Sequence, residues 1–202
     1  NRHAGHTVLQ PDGALRAADL TIPGDFSSAA FFLVAATVVP GSRIELHGVG
    51  MNPTRTGLLG ILKSMGAKIE INNSRTTAGE PIADLIVESS DLRGVVVPAG
   101  LVSRTIDEFP ALSIAAAHAN GVTRISGAQE LRFKESDRIT TVVAGLRSVG
   151  IEVTEQADGM VITGGVIQEG TVDSRKDHRV AMAFAVAGAT GVLRILNCVN
   201  VV

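Results

Sequence analysis

The sequence predicts an α+β (α/β) fold of repeated βαβαββ units, and an internal repeat is the first observation behind this prediction. Residues 64–70 and 148–154 share one order of helix end, glycine and strand. Each complete unit also pairs an amphipathic helix with a helix that is apolar all round, and the latter kind belongs in the middle of a core. We therefore expect an inverse α/β barrel, with the apolar helices inside and the sheets outside.

The elements of the first unit follow from apolar periodicity and from turn residues. Asp25 or Ser27 is expected to cap an apolar helix that begins at Ser28 and stops at Pro40-Gly41. The other elements are an extended stretch at 18–22, a strand at 42–47, an amphipathic helix at 56–65 ended by Gly66, and strands at 67–71 and 84–88.

The second unit repeats this order, and the third unit is incomplete. Pro110 fits the start of the second apolar helix, where its missing N–H costs no hydrogen bond. The second unit comprises an extended stretch at 92–98, the apolar helix 111–119, a strand at 121–126, the amphipathic helix 136–149, and strands at 151–155 and 160–164. The third comprises a strand from 171, an apolar helix opened by Asp177-His178-Arg179, and a strand at 191–196, where the chain stops halfway.

Charge and composition exclude several classes of function. The formal net charge of −2 argues against non-specific nucleic-acid binding and requires any anion site to be a local cluster. The longest apolar runs, such as 29–39, fall short of the roughly 20 residues that span a bilayer. We expect a soluble, cytoplasmic protein without nucleic-acid or membrane partners. The single Cys198 excludes an internal disulfide and is expected to be a buried structural thiol.

The most charged stretch, Glu130–Arg138, precedes the second amphipathic helix. Lys134 and Arg138 are expected on the first turn of this helix, where the helix dipole makes basic side chains unfavourable. They make more sense if they hold an anion such as a phosphate or a carboxylate. Taken alone, the turn is more simply interpreted as a solvated charged surface with a Glu135–Arg138 pair.

Three aspartates, Asp25, Asp107 and Asp177, each stand at the entrance to the apolar helix of their unit. Helix capping is the expected role of Asp25, and it is the alternative for the other two. If equivalent helix starts lie on one face, the charged turn meets those two aspartates there. The converging side chains are then Asp107, Lys134, Glu135, Arg138, His178 and Arg179, beside helix N-termini that favour an anionic ligand.

Several segments give the chain a specific resemblance to a known family. They are Gly24-Asp-Phe-Ser-Ser28, Asp107-Glu-Phe-Pro-Ala-Leu112, Arg132-Phe-Lys-Glu-Ser-Asp-Arg138, Gly150 and Asp177-His-Arg-Val-Ala-Met182. Over nearly its whole length the chain resembles the C-terminal half of the 5-enolpyruvylshikimate-3-phosphate (EPSP) synthases. The resemblance implies a shikimate-pathway transferase that joins the enolpyruvyl group of phosphoenolpyruvate to the 5-hydroxyl of shikimate 3-phosphate and releases phosphate.

The resemblance also implies catalytic roles for three residues. Asp107 matches the aspartate that contacts the shikimate hydroxyls and accepts a proton. Lys134 matches the lysine between the two substrates, and Glu135 matches the carboxylate near the phosphoenolpyruvate methylene, which is a candidate for its protonation. Two carboxylates in different environments suit this reaction, because one proton is given to carbon and another is taken from a hydroxyl.

Four further residues are implied in substrate binding. Arg138 and Arg179 match arginines that hold the carboxylate and phosphate of phosphoenolpyruvate, where glyphosate competes. His178 accompanies Arg179 in the motif with a less defined role. Glu130 stands where many family members have an asparagine that touches the shikimate ring, so direct contact by Glu130 does not follow from the resemblance.

The resemblance places the domain crossover near Pro23-Gly24. Residues 1–23 would be a terminal strand of the other, N-terminal domain, and residues 24–202 a C-terminal domain truncated at its end. The missing N-terminal half is the expected partner, and the 202 residues alone are expected to be inactive. No cofactor or metal is called for. The alternatives are a UDP-N-acetylglucosamine enolpyruvyl transferase, which shares the fold, and a non-catalytic anion-binding domain.

Overall fold

The computed structural model describes residues 2–3, 6–7, 17 and 19–198. Most of the predicted N-terminal segment and the last four residues, 199–202, lie outside these ranges. The helices are α1 (Phe26–Val38), α2 (Gly57–Met65), α3 (Ala99–Val102), α4 (Phe109–Ala117), α5 (Arg138–Ser148) and α6 (His178–Ala187), with a 3-10 turn at Gln129–Phe133. The strands are β1 (Arg2–His3), β2 (His6–Thr7), β3 (Arg43–Gly50), β4 (Lys68–Thr77), β5 (Glu80–Glu88), β6 (Val122–Ile125), β7 (Val153–Gln156), β8 (Gly159–Thr163), β9 (Gly170–Asp173) and β10 (Leu193–Leu196).

Two three-stranded sheets have the same topology, which is the repeat in three dimensions. Their strand orders are β3-β5-β4 and β6-β8-β7, antiparallel throughout, while β9 and β10 pair in parallel. Parallel bridges also join Gly24 to Val49 and Val96 to Arg124. In each unit, therefore, the backbone that precedes the apolar helix runs parallel to the strand that follows it.

The three helices predicted to be apolar all round form the centre of the core. Helices α1, α4 and α6 contact one another, and all nine residues of α4 are buried. A helix without a polar face has no favourable position against water, so its burial on all sides follows from its composition. The mixed α+β class that the sequence predicted is confirmed. Phe32 on α1 is exposed, so this helix is not covered all round by the described residues.

Two glycines have the same backbone conformation at equivalent positions of the first and second units. Gly66 ends α2 with φ of 100°, and Gly150 follows α5 with φ of 81°. Both values lie in the left-handed region, where the backbone of a residue that carries a Cβ is strained. Glycine therefore ends the amphipathic helix in the first and second units. The chain turns at both positions into the next strand of its unit.

Several predicted boundaries were wrong by a few residues. Helix α1 begins at Phe26 because the Asp25 carboxylate accepts the backbone N–H of Ser28 at 2.7 Å. Helix α5 begins at Arg138 because Asp137 is its N-cap, so Lys134 precedes the helix. Strands β4 and β5 are longer than predicted, since they form a hairpin whose polar residues 72–77 carry no apolar alternation.

The prediction of a buried Cys198 was wrong, because this residue is exposed. It follows the last residue of β10 and Asn197, whose φ of 58° turns the chain away from the strand direction. Its thiol therefore lies past the end of the sheet that would have buried it. Among residues 19–198 and the short described stretches before them, no helix is long and apolar enough to cross a membrane.

Candidate active site

The starts of α2, α4, α5 and α6 bring charged residues from distant parts of the chain to one place. At its centre is Asp107, which lies two residues before α4 and whose side chain is 27% exposed. One carboxylate oxygen, Oδ1, lies 3.7 Å from Lys134 Nζ and 3.5 Å from Arg138 Nη1. The other, Oδ2, lies 3.8 Å from Arg179 Nη2 and 3.9 Å from Arg55 Nη2. One partly exposed carboxylate thus faces four cations.

Asp107 differs from the two aspartates that cap helices. Asp25 and Asp177 accept backbone N–H groups in the first turns of α1 and α6. The N-cap of α4 is Glu108, and no side-chain cap is formed there. The capping alternative is therefore correct for Asp25 and Asp177 and wrong for Asp107, whose carboxylate points into the cation cluster.

Arg138 and Asp177 form a buried ion pair beneath the cluster. Their side chains are 1% and 0% exposed, and Arg138 Nε donates to Asp177 Oδ2 at 2.8 Å. Ser136 Oγ and the backbone N–H groups of Arg179 and Val180 donate to the same carboxylate. Burial acts to raise the pKa of Asp177, but these hydrogen bonds and the Arg138 charge together lower it below its usual value. Asp177 is therefore ionised and fixes the direction of the guanidinium.

One guanidinium nitrogen of Arg138 has no hydrogen-bond partner among the described residues. This nitrogen, Nη1, is buried, and it forms an ion pair with Asp107 Oδ1 at 3.5 Å without a hydrogen bond. A buried donor without an acceptor costs free energy, so such atoms are rare and call for an explanation. An anion bound beside Asp107 would supply the missing acceptor.

The predicted charged turn is held in place by Arg132, whose importance the sequence pattern did not reveal. Its guanidinium donates to the carbonyls of Ala157 and Gln156 and to the side chains of Asp137, Thr140 and Glu155. These partners belong to α5, its N-cap and the β7–β8 hairpin. Arg132 thus fixes the turn against the sheet, and Lys134 follows only two residues later.

The remaining predicted residues lie at the edge of the cluster. Glu135 is half exposed and pairs with Arg138, while the more exposed Glu130 lies 3.0 Å from Lys134 Nζ. Both carboxylates therefore balance cations that also face Asp107. His178 is half buried at the first residue of α6. Among the described residues, its side chain has no hydrogen bond or ion pair, so it is near Arg179 in sequence without joining the charge network.

Sequence reasoning assigned no role in the site to Arg55, Ser27 or Glu108. Arg55 lies just before α2, as Arg138 lies at the start of α5, so the repeat itself could have indicated it. Ser27 and Glu108 are buried, and the Ser27 hydroxyl joins Arg55 to Glu108. Burial raises the pKa of Glu108, although its bond from Ser27 and the charges of Arg179 and Arg55 oppose this.

The arrangement can bind anionic groups and accept a proton. Arginine and lysine together suit phosphate and carboxylate oxygens, since arginine offers a planar set of donors and lysine a point charge. A carboxylate surrounded by these cations can take a proton from a hydroxyl held against it.

Comparisons with known proteins identify the relatives of this chain. The sequence model of the family described as EPSP synthase (3-phosphoshikimate 1-carboxyvinyltransferase) matches residues 2–201. The 3-phosphoshikimate 1-carboxyvinyltransferase of Acidithiobacillus ferrooxidans is 52% identical over 99% of this chain and 47% of the relative. That of Xylella fastidiosa is 55% identical over 98% of this chain and 44% of the relative. The chain thus spans about half the length of the curated relatives it matches.

Solved structures give the same result. An EPSP synthase from Acinetobacter baumannii matches 92% of this chain and 44% of its own length, with a TM-score of 0.89 and 44% identity. The enolpyruvyl transferase NikO from Streptomyces tendae matches 88% of this chain and 39% of its own, with a TM-score of 0.58 and 17% identity, which shows a shared fold alone. From the match of the family's sequence model to nearly the whole chain, we conclude that this chain belongs to the EPSP synthase family.

Proposed function

We propose that this chain supplies one half of the active site of an enzyme that transfers the enolpyruvyl group of phosphoenolpyruvate to the 5-hydroxyl of shikimate 3-phosphate, with release of phosphate. The observation that carries the proposal is the Asp107 carboxylate facing four cations. One of them, Arg138, has a buried nitrogen that finds no hydrogen-bond acceptor among the described residues. Both proposed substrates are phosphorylated, and phosphoenolpyruvate also carries a carboxylate. Membership of the EPSP synthase family supports the identity of these anions.

The proposed reaction has two steps, an addition and an elimination. In the first, the 5-hydroxyl oxygen bonds to C2 of phosphoenolpyruvate while Asp107 takes the hydroxyl proton and Glu135 gives a proton to C3. This forms a tetrahedral intermediate with a methyl group. In the second, the bond from C2 to the phosphate oxygen breaks, a methyl proton returns to a carboxylate, and the C2–C3 double bond is restored. The two carboxylates lie in different environments, as separate proton-transfer roles require: Asp107 is partly exposed and faces four cations, whereas Glu135 is half exposed and pairs with Arg138.

The cations would stabilise the charges of these steps. Lys134 and Arg138 approach the same oxygen of Asp107, so a substrate held there would lie between them. Arg138 and Arg179 would bind the carboxylate and phosphate of phosphoenolpyruvate. His178 begins the same helix and would line the phosphate side. Glu130 pairs with Lys134 and would hold the position of the lysine ammonium group rather than touch the shikimate ring.

The complete enzyme would need more chain than these 202 residues. We propose that an N-terminal domain faces the cation cluster and that further chain completes the third repeat unit, closing an inverse α/β barrel around α1, α4 and α6. Residues 1–23 would then belong with the N-terminal domain. The exposed Phe32 on α1 is consistent with covering by further chain. A cytoplasmic setting is part of the same proposal.

Reconstitution tests the proposed function. The chain would be mixed with a separately produced N-terminal half of the Acidithiobacillus ferrooxidans relative, and phosphate release from both substrates would be measured. We expect no turnover from the chain alone, turnover from the mixture, and loss of at least about 100-fold in Asp107→Asn and Lys134→Met, since acid–base groups of this kind contribute on that order.

Matched controls separate this loss from general damage. Asp91→Asn and Lys68→Met change exposed residues of the same types outside the cluster and should retain full turnover. Turnover by the chain alone would contradict the half-site proposal, and full turnover in Asp107→Asn would contradict the assigned role.

Two alternatives give different results in the same assay. A non-catalytic anion-binding domain would bind phosphate but would not complement the N-terminal half. A UDP-N-acetylglucosamine enolpyruvyl transferase would use that sugar nucleotide in place of shikimate 3-phosphate. The family match favours the EPSP synthase reaction over both.

A further inference from the structure

Arg55 reaches the cation cluster from a tight turn that is built to present it. The turn lies between β3 and α2, and the backbone N–H of Arg55 donates to the carbonyl of Asn52 at 2.9 Å. The Asn52 side-chain oxygen accepts from both the backbone and the hydroxyl of Thr54. Such an asparagine-closed turn has a fixed shape, because side chain and backbone hold it together.

The same turn is docked against the chain segment that leads to Asp107. The N–H of Gly57 donates to the carbonyl of Arg104 at 3.2 Å, and a Cβ at position 57 would lie 2.3 Å from the Thr105 hydroxyl. Only glycine permits this close approach. The positions of Arg55 and Asp107 are therefore coupled through the packing of the backbones beneath them.

A hydrogen-bond chain through Ser27 and Glu108 aims the Arg55 guanidinium. Arg55 Nη2 donates to Ser27 Oγ at 2.8 Å, and the Ser27 hydroxyl donates to Glu108 Oε1. A serine hydroxyl has one proton, so donation to Glu108 turns its lone pairs toward the arginine. Ser27 and Glu108 are each 2% exposed, whereas the Arg55 side chain is 50% exposed. The buried pair is fixed, and the guanidinium extends from it into solvent beside Asp107.

Burial of the Glu108 carboxyl group destabilises the fold, so its presence calls for a role such as the positioning of Arg55 through Ser27. A carboxyl group removed from water loses hydration free energy, and an apolar side chain at the N-cap of the core helix α4 would avoid that loss. Burial accordingly raises the pKa of Glu108. Its hydrogen bond to Ser27 gives the carboxyl a function that an apolar residue could not perform.

From this arrangement we propose that Arg55 is an additional anion-binding residue of the site, which contacts a phosphate or carboxylate oxygen of the bound substrate, and that Ser27 and Glu108 are its positioning residues. Arg55 shares oxygen Oδ2 of Asp107 with Arg179. A ligand anion bound there would be held by two guanidinium groups from different repeat units. The identity of the anion rests on the proposed function, but the existence of the contact does not.

Phosphate binding to the chain itself tests the proposal. Inorganic phosphate would be titrated into the isotope-labelled chain and followed by NMR, with Arg55→Gln compared to Arg43→Gln. Arg43 is a similarly exposed arginine that pairs with Glu88 away from the cluster, so its variant should bind within about twofold of the unchanged chain. We expect Arg55→Gln to weaken binding about five- to tenfold, the loss of one charge-assisted contact. Titrations with phosphoenolpyruvate and with shikimate 3-phosphate would show which substrate loses more affinity.

A double-mutant cycle tests the positioning role. If Ser27 acts through Arg55, Ser27→Ala should weaken phosphate binding, and the double variant should bind no worse than Arg55→Gln alone. Glu108→Gln retains the acceptor for Ser27 and should rescue affinity relative to Glu108→Ala, with circular dichroism confirming the fold of each variant. Unchanged phosphate binding in Arg55→Gln overturns the anion-binding role, and additive losses in the cycle overturn the positioning role. Both outcomes can be read without turnover, so they are distinct from the reconstitution assay that tests the proposed function.

Discussion

Replacing Asp177 by asparagine should destabilise the chain strongly, because it breaks the buried pair with Arg138. Both side chains are almost fully buried, and the carboxylate accepts hydrogen bonds from Arg138, Ser136 and the start of α6. Removing one partner of a buried pair costs roughly 3–5 kcal/mol, because the other charge remains buried without compensation. Since Arg138 retains Glu135 as a partner, we expect the lower end, about 3 kcal/mol.

Thermal unfolding measures this loss. For a domain of this size each kcal/mol lowers the melting temperature by roughly 2–4 °C, so Asp177→Asn should melt about 6–12 °C lower. Asp25→Asn is the matched control: Asp25 is also a helix N-cap, asparagine caps equally well, and no buried cation depends on it. Its melting temperature should change by no more than about 2 °C. Equal melting temperatures for the two variants would refute the argument that the buried pair holds Arg138.

The same pair predicts a dependence on pH. The pKa of Asp177 is lowered in the folded chain from an ordinary value of 3.8, because hydrogen bonds and the Arg138 charge outweigh the effect of burial. Its contribution is therefore present above about pH 4 and lost as the pH falls below that value through the folded pKa. The stability difference between the unchanged chain and Asp177→Asn should shrink on acidification. A constant difference from pH 7 to pH 3 would contradict this assignment.

Three further predictions concern other parts of the chain. Gly145→Ala should lower the free energy of unfolding by about 1–3 kcal/mol in urea denaturation, since the new Cβ would lie 2.4 Å from the ring of Phe184, whereas Gly100→Ala has open space and should not destabilise. Arg132→Ala should lower kcat/KM of the reconstituted enzyme at least about tenfold with unchanged helix content, because the turn carrying the site lysine loses its attachment to the sheet; an unchanged rate would show that the turn keeps its shape without it. Glu108→Gln should gain stability relative to the unchanged chain as the pH rises from about 4.5, since burial raises the pKa of Glu108 and its ionisation opposes folding; an equal pH dependence of the two chains would count against this.

Local patterns predicted the elements of the fold well. Apolar periodicity placed α1, α2, α4, α5 and α6 within a few residues, and Gly66 and Gly150 marked helix ends in both units. These features depend on a few neighbouring residues: which face of a helix is apolar, and which residue tolerates a positive φ. The β4–β5 hairpin was predicted too short because its polar end is stabilised by pairing between strands rather than by an apolar face.

The site residues were predicted in part. The motifs identified Asp107, Lys134, Arg138 and Arg179, and the structure brings all four together. The sequence assigned helix capping to Asp25 but did not reveal which of Asp107 and Asp177 caps a helix and which one faces the cations, because both precede an apolar helix beside further charged residues. It also did not reveal Arg55. The turn that carries Arg55 looks like any polar connection until the repeat shows that Arg55 lies before α2 much as Arg138 lies at the start of α5.

The sequence by itself determined the repeat, the apolar helices and the family, because each of these is recognised from short segments of neighbouring residues, even where several such segments are compared. The tertiary structure alone decided the partners of each charge: Asp177 beneath Arg138, Arg132 fixing the turn, and Ser27 between Arg55 and Glu108. The physical reason is distance along the chain. A hydrogen bond or an ion pair depends on ångström separations, and packing of the helix starts sets those separations between residues that no local pattern connects.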